Sequence, residues 1–162
     1  MEYLRKTDIP LHVKYIDAAI AEAQESSCRK SKRGVVIAKN NAILAVGHND
    51  PPEGWYCKAG GDDLRCRDRC NKYTVHAEQN AIFNGLLARK NLRDSTMYHM
   101  KIKDGKVTPV PLVEENGCVE CSKLIVQIGI AGMILQHAEG YAHYSSQELH
   151  RLSLLSLDKL NS

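Results

Sequence analysis

The sequence predicts an α/β fold of three layers, α/β/α, with helices on both faces of a mixed sheet. Three observations predict it. Segments with strand periodicity alternate with segments of helix periodicity. The series opens with a hairpin, which introduces an antiparallel pair into the sheet. Two short motifs rich in metal-binding side chains each follow a strand or loop and open a helix, which places them near one end of the sheet, where such folds bind ligands.

The elements follow in order. Residues 11–26 read as a first helix with Val13, Ile16, Ile20 and Ala23 on one face. Residues 34–38 are a strand, Lys39-Asn40-Asn41 turns the chain, and residues 42–46 return. Residues 47–73 are too rich in Gly, Pro, Asp and Cys for a packed element, and an ordered loop of that length needs a reason such as metal. Thr74 is the expected N-cap of a helix over 75–90, with Ala77, Ala81, Leu86 and Leu87 on its apolar face. Residues 96–103 alternate as a strand. Asp104-Gly105 is a turn signal, so 106–113 is expected to pair back as an irregular extension. Gly117 ends a turn-like stretch before a helix over 118–127 that Gly129 stops. Residues 130–135 are a buried strand. Ser145 and Glu148 have capping-box spacing at the start of a last helix, which carries Leu149, Leu152, Leu155 and Leu157.

With 162 residues the chain is most simply one domain, with a core over about 11–141 and a C-terminal helix over about 145–158. A formal net charge of +3 is too mild to argue for nucleic acid and suits a small anionic substrate. The N-terminal residues lack an apolar signal core, and no apolar run is long enough to span a membrane, so a cytoplasmic protein is the expectation. Its six cysteines are then expected to be reduced or on metal rather than in disulfides.

The chemistry concentrates in His76-Ala77-Glu78 and Cys118-Val119-Glu120-Cys121. Alone, each half is weak: an H-x-E triplet arises by chance, and a C-x-x-C is also a redox pair or half a zinc knuckle. Together they supply one imidazole, two thiolates and a free carboxylate. Three protein ligands leave a fourth tetrahedral position open, which separates a catalytic zinc site from a structural one. Cys118 and Cys121 share a helical face at a helix N-terminus, where backbone N–H groups favour thiolate. The redox reading gives His76 and Glu78 no task. Glu78 as a helix-dipole residue explains its place but not its spacing from His76.

Three segments carry a family resemblance. His76-Ala77-Glu78-Gln79-Asn80-Ala81-Ile82 resembles H-A-E-x-N-A-[IL], Gly47-His48-Asn49-Asp50-Pro51-Pro52 resembles a G-Y-N-G-x-P loop, and Cys118 to Ile130 resembles C-x-x-C-x-K-x-I-x-Q-x-G-I. The chain thereby resembles the cytidine/deoxycytidylate deaminase superfamily, and within it the deoxycytidylate (dCMP) deaminases. The resemblance implies a cytidine deaminase-like fold and zinc-dependent hydrolytic loss of an exocyclic amine, most simply dCMP to dUMP. Within that reading His76, Cys118 and Cys121 hold the catalytic zinc and Glu78 is the acid/base. It further implies that Asn49 contacts the sugar of a nucleotide substrate and that the protein forms homo-oligomers. The alternatives are deamination of another nucleoside, base or modified nucleotide (cytidine, guanine, adenosine), and a non-catalytic zinc-binding interaction domain. Two departures stand out: Gly117 replaces a Pro before the first metal cysteine, and residues 101–116 form a longer connection into it.

Some dCMP deaminases look similar in one more respect, a Cys before the first strand and cysteines in the loop before H-A-E that form a second, structural zinc site. Cys28 and Cys57 match those positions; Cys66 and Cys70 match the region less exactly. A closed four-cysteine site would anchor a loop with little apolar content, with His48 a substitute for one ligand. The bland alternative, incidental cysteines, suits one free Cys better than four. Positive charge for a phosphate is available in Arg29, Lys30, Lys32 and Arg33, with Lys30 and Lys32 as the substrate-binding candidates, although a solvated face explains any one of them as well. Tyr141 or Tyr144 is placed to stack on a base; ordinary packing is the competing explanation for each.

Overall fold

The computed structural model describes residues 1–57, 66 and 73–160. The first helix, α1 (Ile9–Glu25), begins with Pro10 in its first turn, where a missing N–H costs nothing. Strands β2 (Lys32–Lys39) and β3 (Ala42–His48) form the expected hairpin, with Asn40 and Asn41 at φ of 50° and 65° in the turn. A two-residue strand β1 (Glu2–Tyr3) precedes them. Helix α2 (Ala77–Leu87) is followed by β4 (Thr96–Lys103), the short β5 (Lys106–Val107), a single turn α3 (Val113–Asn116), α4 (Val119–Ile128), β6 (Gly132–His137), β7 (Gly140–Ser145) and α5 (Ser146–Leu160).

The strands make one mixed sheet in the order β1-β7-β6-β4-β2-β3, with β5 added to β4. Among the described strands only β4 and β6 pair in parallel; the other pairs are antiparallel. Alternation along each strand divides the core. Val36, Ala38, Tyr98, Met100 and Ile134 face α1. Val35, Ile37, Met97, Met133 and Leu135 face the side covered by α2, α4 and α5. The three layers are therefore those expected from the sequence. No helix among the described residues is long and apolar enough to cross a membrane.

Two glycines set how closely the site-bearing helices approach. At Gly47 a Cβ would collide with the backbone nitrogen of Ala81, so only glycine lets α2 lie directly on β3. At Gly117 a Cβ would come within 2.6 Å of Ser153 Oγ on α5. The Gly117 N–H also donates to the Val113 carbonyl at 2.7 Å, a bond proline cannot make. The departure from proline at this position thus follows from the close packing of α5.

Candidate active site

Each motif sits at a helix start. Val75 exchanges two backbone hydrogen bonds with Asp50, at 2.8 and 3.2 Å, which keeps the chain extended up to His76. The N-cap of α2 is consequently His76, not Thr74, and the helix begins two residues later than expected and ends at Leu87 rather than residue 90. The Gln79 side chain caps it by accepting from the His76 N–H at 3.0 Å. Cys118 is the N-cap of α4, and its sulfur accepts from the Cys121 N–H at 3.4 Å.

These two helix starts meet. His76 Nδ1 lies 3.2 Å from Cys121 Sγ and 3.5 Å from Cys118 Sγ. Among the described residues this triplet alone brings three such donor atoms within 4.8 Å of one another. A tetrahedral zinc with bonds of ~2.3 Å to sulfur and ~2.0–2.1 Å to nitrogen holds neighbouring N and S ligands about 3.5 Å apart. The donor set and its spacing both fit that ion. The Cys118 thiol is held down at about 5, chiefly by a hydrogen bond from the Cys121 thiol, with His76 and the Cys121 backbone N–H adding to it against burial. Sharing that proton pushes Cys121 well up. His76 is raised, first by its hydrogen bond to Cys118. A thiolate is thus in place where a cation would bind.

The triplet lines a cavity of about 510 Å³ together with Arg33, Asn49, Glu78 and His99. Glu78, in the first turn of α2, is exposed to that cavity and within hydrogen-bonding reach of Cys121. Burial works against its charge, but His99, His76, its own backbone N–H and Arg33 together hold the carboxyl below its usual range. His99, in β4, is 3% exposed, and burial pushes it down to about 4 against the pull of Glu78. It is therefore neutral at pH 7, which leaves His76, the backbone and Arg33 as the groups that favour the Glu78 carboxylate. The longer connection after β4 supplies one wall of the cavity through Val110, Pro111, Val113 and Asn116. Hydrogen bonds from Val110 N–H to Gln136 O at 2.8 Å and from His137 Nδ1 to Val110 O at 2.9 Å fasten it to β6.

The other residues expected from sequence divide. Asn49 lines the cavity, but its Oδ1 accepts from Arg33 N–H at 2.6 Å and Ser26 Oγ at 3.0 Å, and its Nδ2 donates to Ser31 O at 3.1 Å. It fastens the start of β2, and among the described residues its second amide N–H makes no hydrogen bond. Lys32 reaches away to the Gln24 carbonyl at 2.7 Å. Arg33, two positions before Val35 on the same face of β2, enters the cavity. Lys30 lies beside a second, smaller pocket of about 70 Å³ that Cys28, Cys57 and Cys66 also line. Cys70 lies outside the described residues. His48 turns instead to Glu22, at 2.7 Å, and Asp50, at 3.5 Å. Tyr141 packs with the α1-side cluster, on the opposite face of the sheet from the cavity, and Tyr144 is buried against His137. His99 escaped the sequence reading. The signal for it was a histidine on the buried face of a central strand, in register with Met97.

The chain is similar to known proteins along most of its length. It is 30% identical over 135 residues to the deoxycytidylate deaminase of Mycobacterium phage D29, covering 74% of this chain and 89% of that protein. It is 26% identical over 149 residues to the deoxycytidylate deaminase of Schizosaccharomyces pombe, covering 87% of this chain but only 39% of the yeast protein. Its fold is similar to that of the dCMP deaminase from the cyanophage S-TIM5, solved in complex with dCMP and dUMP, with a TM-score of 0.56 and 23% identity over 81% of this chain and 82% of that one. Residues 10–137 match the cytidine and deoxycytidylate deaminase zinc-binding region, and on that match the chain belongs to the cytidine and deoxycytidylate deaminase family.

Proposed function

We propose that this chain is a zinc-dependent hydrolase that removes the exocyclic amine of a cytosine deoxynucleotide, converting dCMP to dUMP and ammonia, and that residues 1–162 act as one deaminase domain. The observation that carries the reading is a carboxylate, Glu78, facing the same cavity as a His/Cys/Cys triplet without belonging to it. A non-catalytic zinc domain has no use for that carboxylate.

His76 Nδ1 and the sulfurs of Cys118 and Cys121 would hold the zinc. When bound there, the ion supplies Lewis acidity that brings a water's pKa near neutrality. Glu78 Oε takes one proton from the attacking water and delivers it to ring N3; as the C4–N bond breaks it moves the water's remaining proton, from the new C4 hydroxyl, to the amine, which leaves as ammonia. Its depressed pKa makes it a carboxylate at the outset, the form that accepts a proton. Asn49 is the residue we assign to the sugar, through its remaining N–H. For the phosphate we assign Arg33 and Lys30, on the positions they hold at the two adjoining pockets. Val110, Pro111 and Leu135 exclude water from the far wall.

A second, structural zinc on Cys28, Cys57 and Cys66, with Cys70 as the fourth ligand, is the companion proposal; the three described cysteines surround one small pocket. A cytoplasmic homo-oligomer completes the reading. Helix α2 leaves Phe83, Leu86 and Leu87 exposed, a strip suited to a second copy, and light scattering in solution checks it.

The deciding experiment is ammonia release by zinc-replete protein from dCMP, dCTP, CMP, cytidine, adenosine and guanine. Turnover of dCMP above the rest is expected. Turnover of another compound alone moves the substrate, and no turnover of any of them overturns the enzyme reading.

A further inference from the structure

His99 has no part in the proton path above, yet its placement is a costly one. It lies mid-strand in β4, paired across to Val35 in β2 and Leu135 in β6, where an aliphatic side chain would pack without penalty. It shares the inner face with Arg33 and lines the cavity beside it and Glu78. Arg33 Nη1 is 3.4 Å from His99 Nε2. A guanidinium only donates, so Nε2 is the acceptor. A doubly protonated ring would turn an N–H toward the N–H of a permanent cation. The ring is therefore neutral and carries its hydrogen on Nδ1. Among the described residues, Nδ1 is buried and has no hydrogen-bond partner. A buried donor held in a fixed tautomer, on a ring that lines the cavity and with nothing among the described residues to receive it, is matched to an acceptor on a ligand.

We propose that His99 Nδ1–H is a substrate-binding donor for the 2-carbonyl oxygen of a cytosine-type base, and that it selects a 2-oxo-4-aminopyrimidine over a 6-aminopurine. The proposal rests on the deaminase reading. Along the edge of such a base the amine-bearing carbon, N3 and the 2-carbonyl follow one another. Glu78 serves the first two, and His99 is the donor that meets the third. At the corresponding place adenine presents C2–H, which offers Nδ1–H no acceptor, and none of the described residues offers one either. Sites built to hydrogen-bond a substrate group reject analogues that lack it far more strongly than apolar pockets reject a change of size. Arg33 acts here as a positioning residue, since its donation to Nε2 fixes the tautomer.

The test pairs protein and substrate changes. Wild type, His99→Leu and His99→Asn are compared on dCMP and on its 2-thio analogue, whose sulfur is a weak acceptor. His99→Leu is expected to lower kcat/KM for dCMP on the order of 10–100-fold and to erase the preference of oxygen over sulfur, while zinc content stays the same. His99→Asn, whose Nδ2 can donate from about the place of Nδ1, is expected to recover part of the preference. An oxygen-over-sulfur preference undiminished in His99→Leu overturns the proposal. Calorimetric binding of dUMP, which needs no turnover, must weaken in the same order; equal dUMP affinity in wild type and His99→Leu also overturns it. Should no substrate release ammonia, the deaminase reading fails while dUMP binding still judges His99. The wild-type ¹⁵N spectrum answers without any variant: a protonated Nδ1 that shifts on adding dUMP is expected, and a deprotonated or unmoved Nδ1 refutes it.

Discussion

The roles proposed for Glu78 and for the three residues beside it differ, and single substitutions separate them. Glu78→Gln keeps size and hydrogen-bonding capacity but removes the basic carboxylate. A loss of at least ~10²–10⁴-fold in kcat is expected, the usual worth of general acid–base catalysis, with zinc content and Tm close to wild type. His76→Ala or Cys118→Ala should lose the metal together with the activity, because each removes one of three ligands in a site that has no spare donor among the described residues. Metal analysis beside the ammonia assay checks both. Zinc loss in Glu78→Gln would make that residue a ligand and end its role as proton carrier. That these four residues gather at one cavity was legible in the sequence because the signal is local: each motif is three or four residues long, and each opens a helix. Arg33 and His99 were not singled out, since what matters about them is the face of the sheet they occupy and the element that covers it. The Lys32 candidate failed to reach the cavity for the same reason, being one residue out of phase with Arg33 in β2.

Elements with strong periodicity or clear punctuation were readable, and those held by pairing alone were not. The turn at Asn40-Asn41, the alternation of 96–103 and the stop at Gly129, which has φ of 82°, all match the structure. The two-residue β1 and the strand β7 carry little apolar signal of their own. They are strands because β7 pairs with β6 and β1 then adds to β7. The single turn α3 is too short for any period to show. It nevertheless ends at Gly117, where the space is set by Ser153 of α5. Gly117→Pro, which would restore the residue of the resembling family, should therefore destabilise this protein. It adds a clash of a kind that costs ~1–3 kcal/mol and removes the 2.7 Å bond to Val113 O. A fall in Tm on the order of 5 °C by calorimetry is expected, and an unchanged Tm would mean that α5 yields freely at that point. The loop cysteines belong to this scale too. Purified protein should carry two zinc ions per chain, and Cys57→Ser should lose one of them with a larger effect on Tm than on the per-site turnover of the protein that remains folded. One zinc per chain in both proteins would leave Cys28, Cys57 and Cys66 as ordinary thiols.

Across the whole molecule, the mixed sheet has the candidate site on one face and a packed layer, α1 with Tyr15, Tyr98 and Met100, on the other. That division lets the inner face carry polar groups that would not survive in a core sealed on both sides, and it gives the protein a definite response to acid. In the native chain His99 stays neutral until about pH 4, because burial opposes its charge, whereas in the unfolded chain it takes a proton near the model-peptide value of about 6.5. Between those two values the unfolded state binds more protons. Stability contributed by His99 is thus fully present above about pH 6.5 and is lost progressively as pH falls toward 4. The full span corresponds to a few kcal/mol at most, at about 1.4 kcal/mol per unit. Cys118, held at about 5, also takes a proton over this range, so the informative quantity is a difference between two proteins that share it. His99→Leu removes the titrating ring and leaves His76, Cys118 and Cys121 in place. The gap in Tm between wild type and His99→Leu is expected to shift in favour of the variant as the buffer is taken from pH 7.5 to pH 5. A gap that stays constant over that interval would mean that His99 takes up its proton in the folded protein over the same range as in the unfolded chain, and with it would go the fixed neutral tautomer that Arg33 imposes.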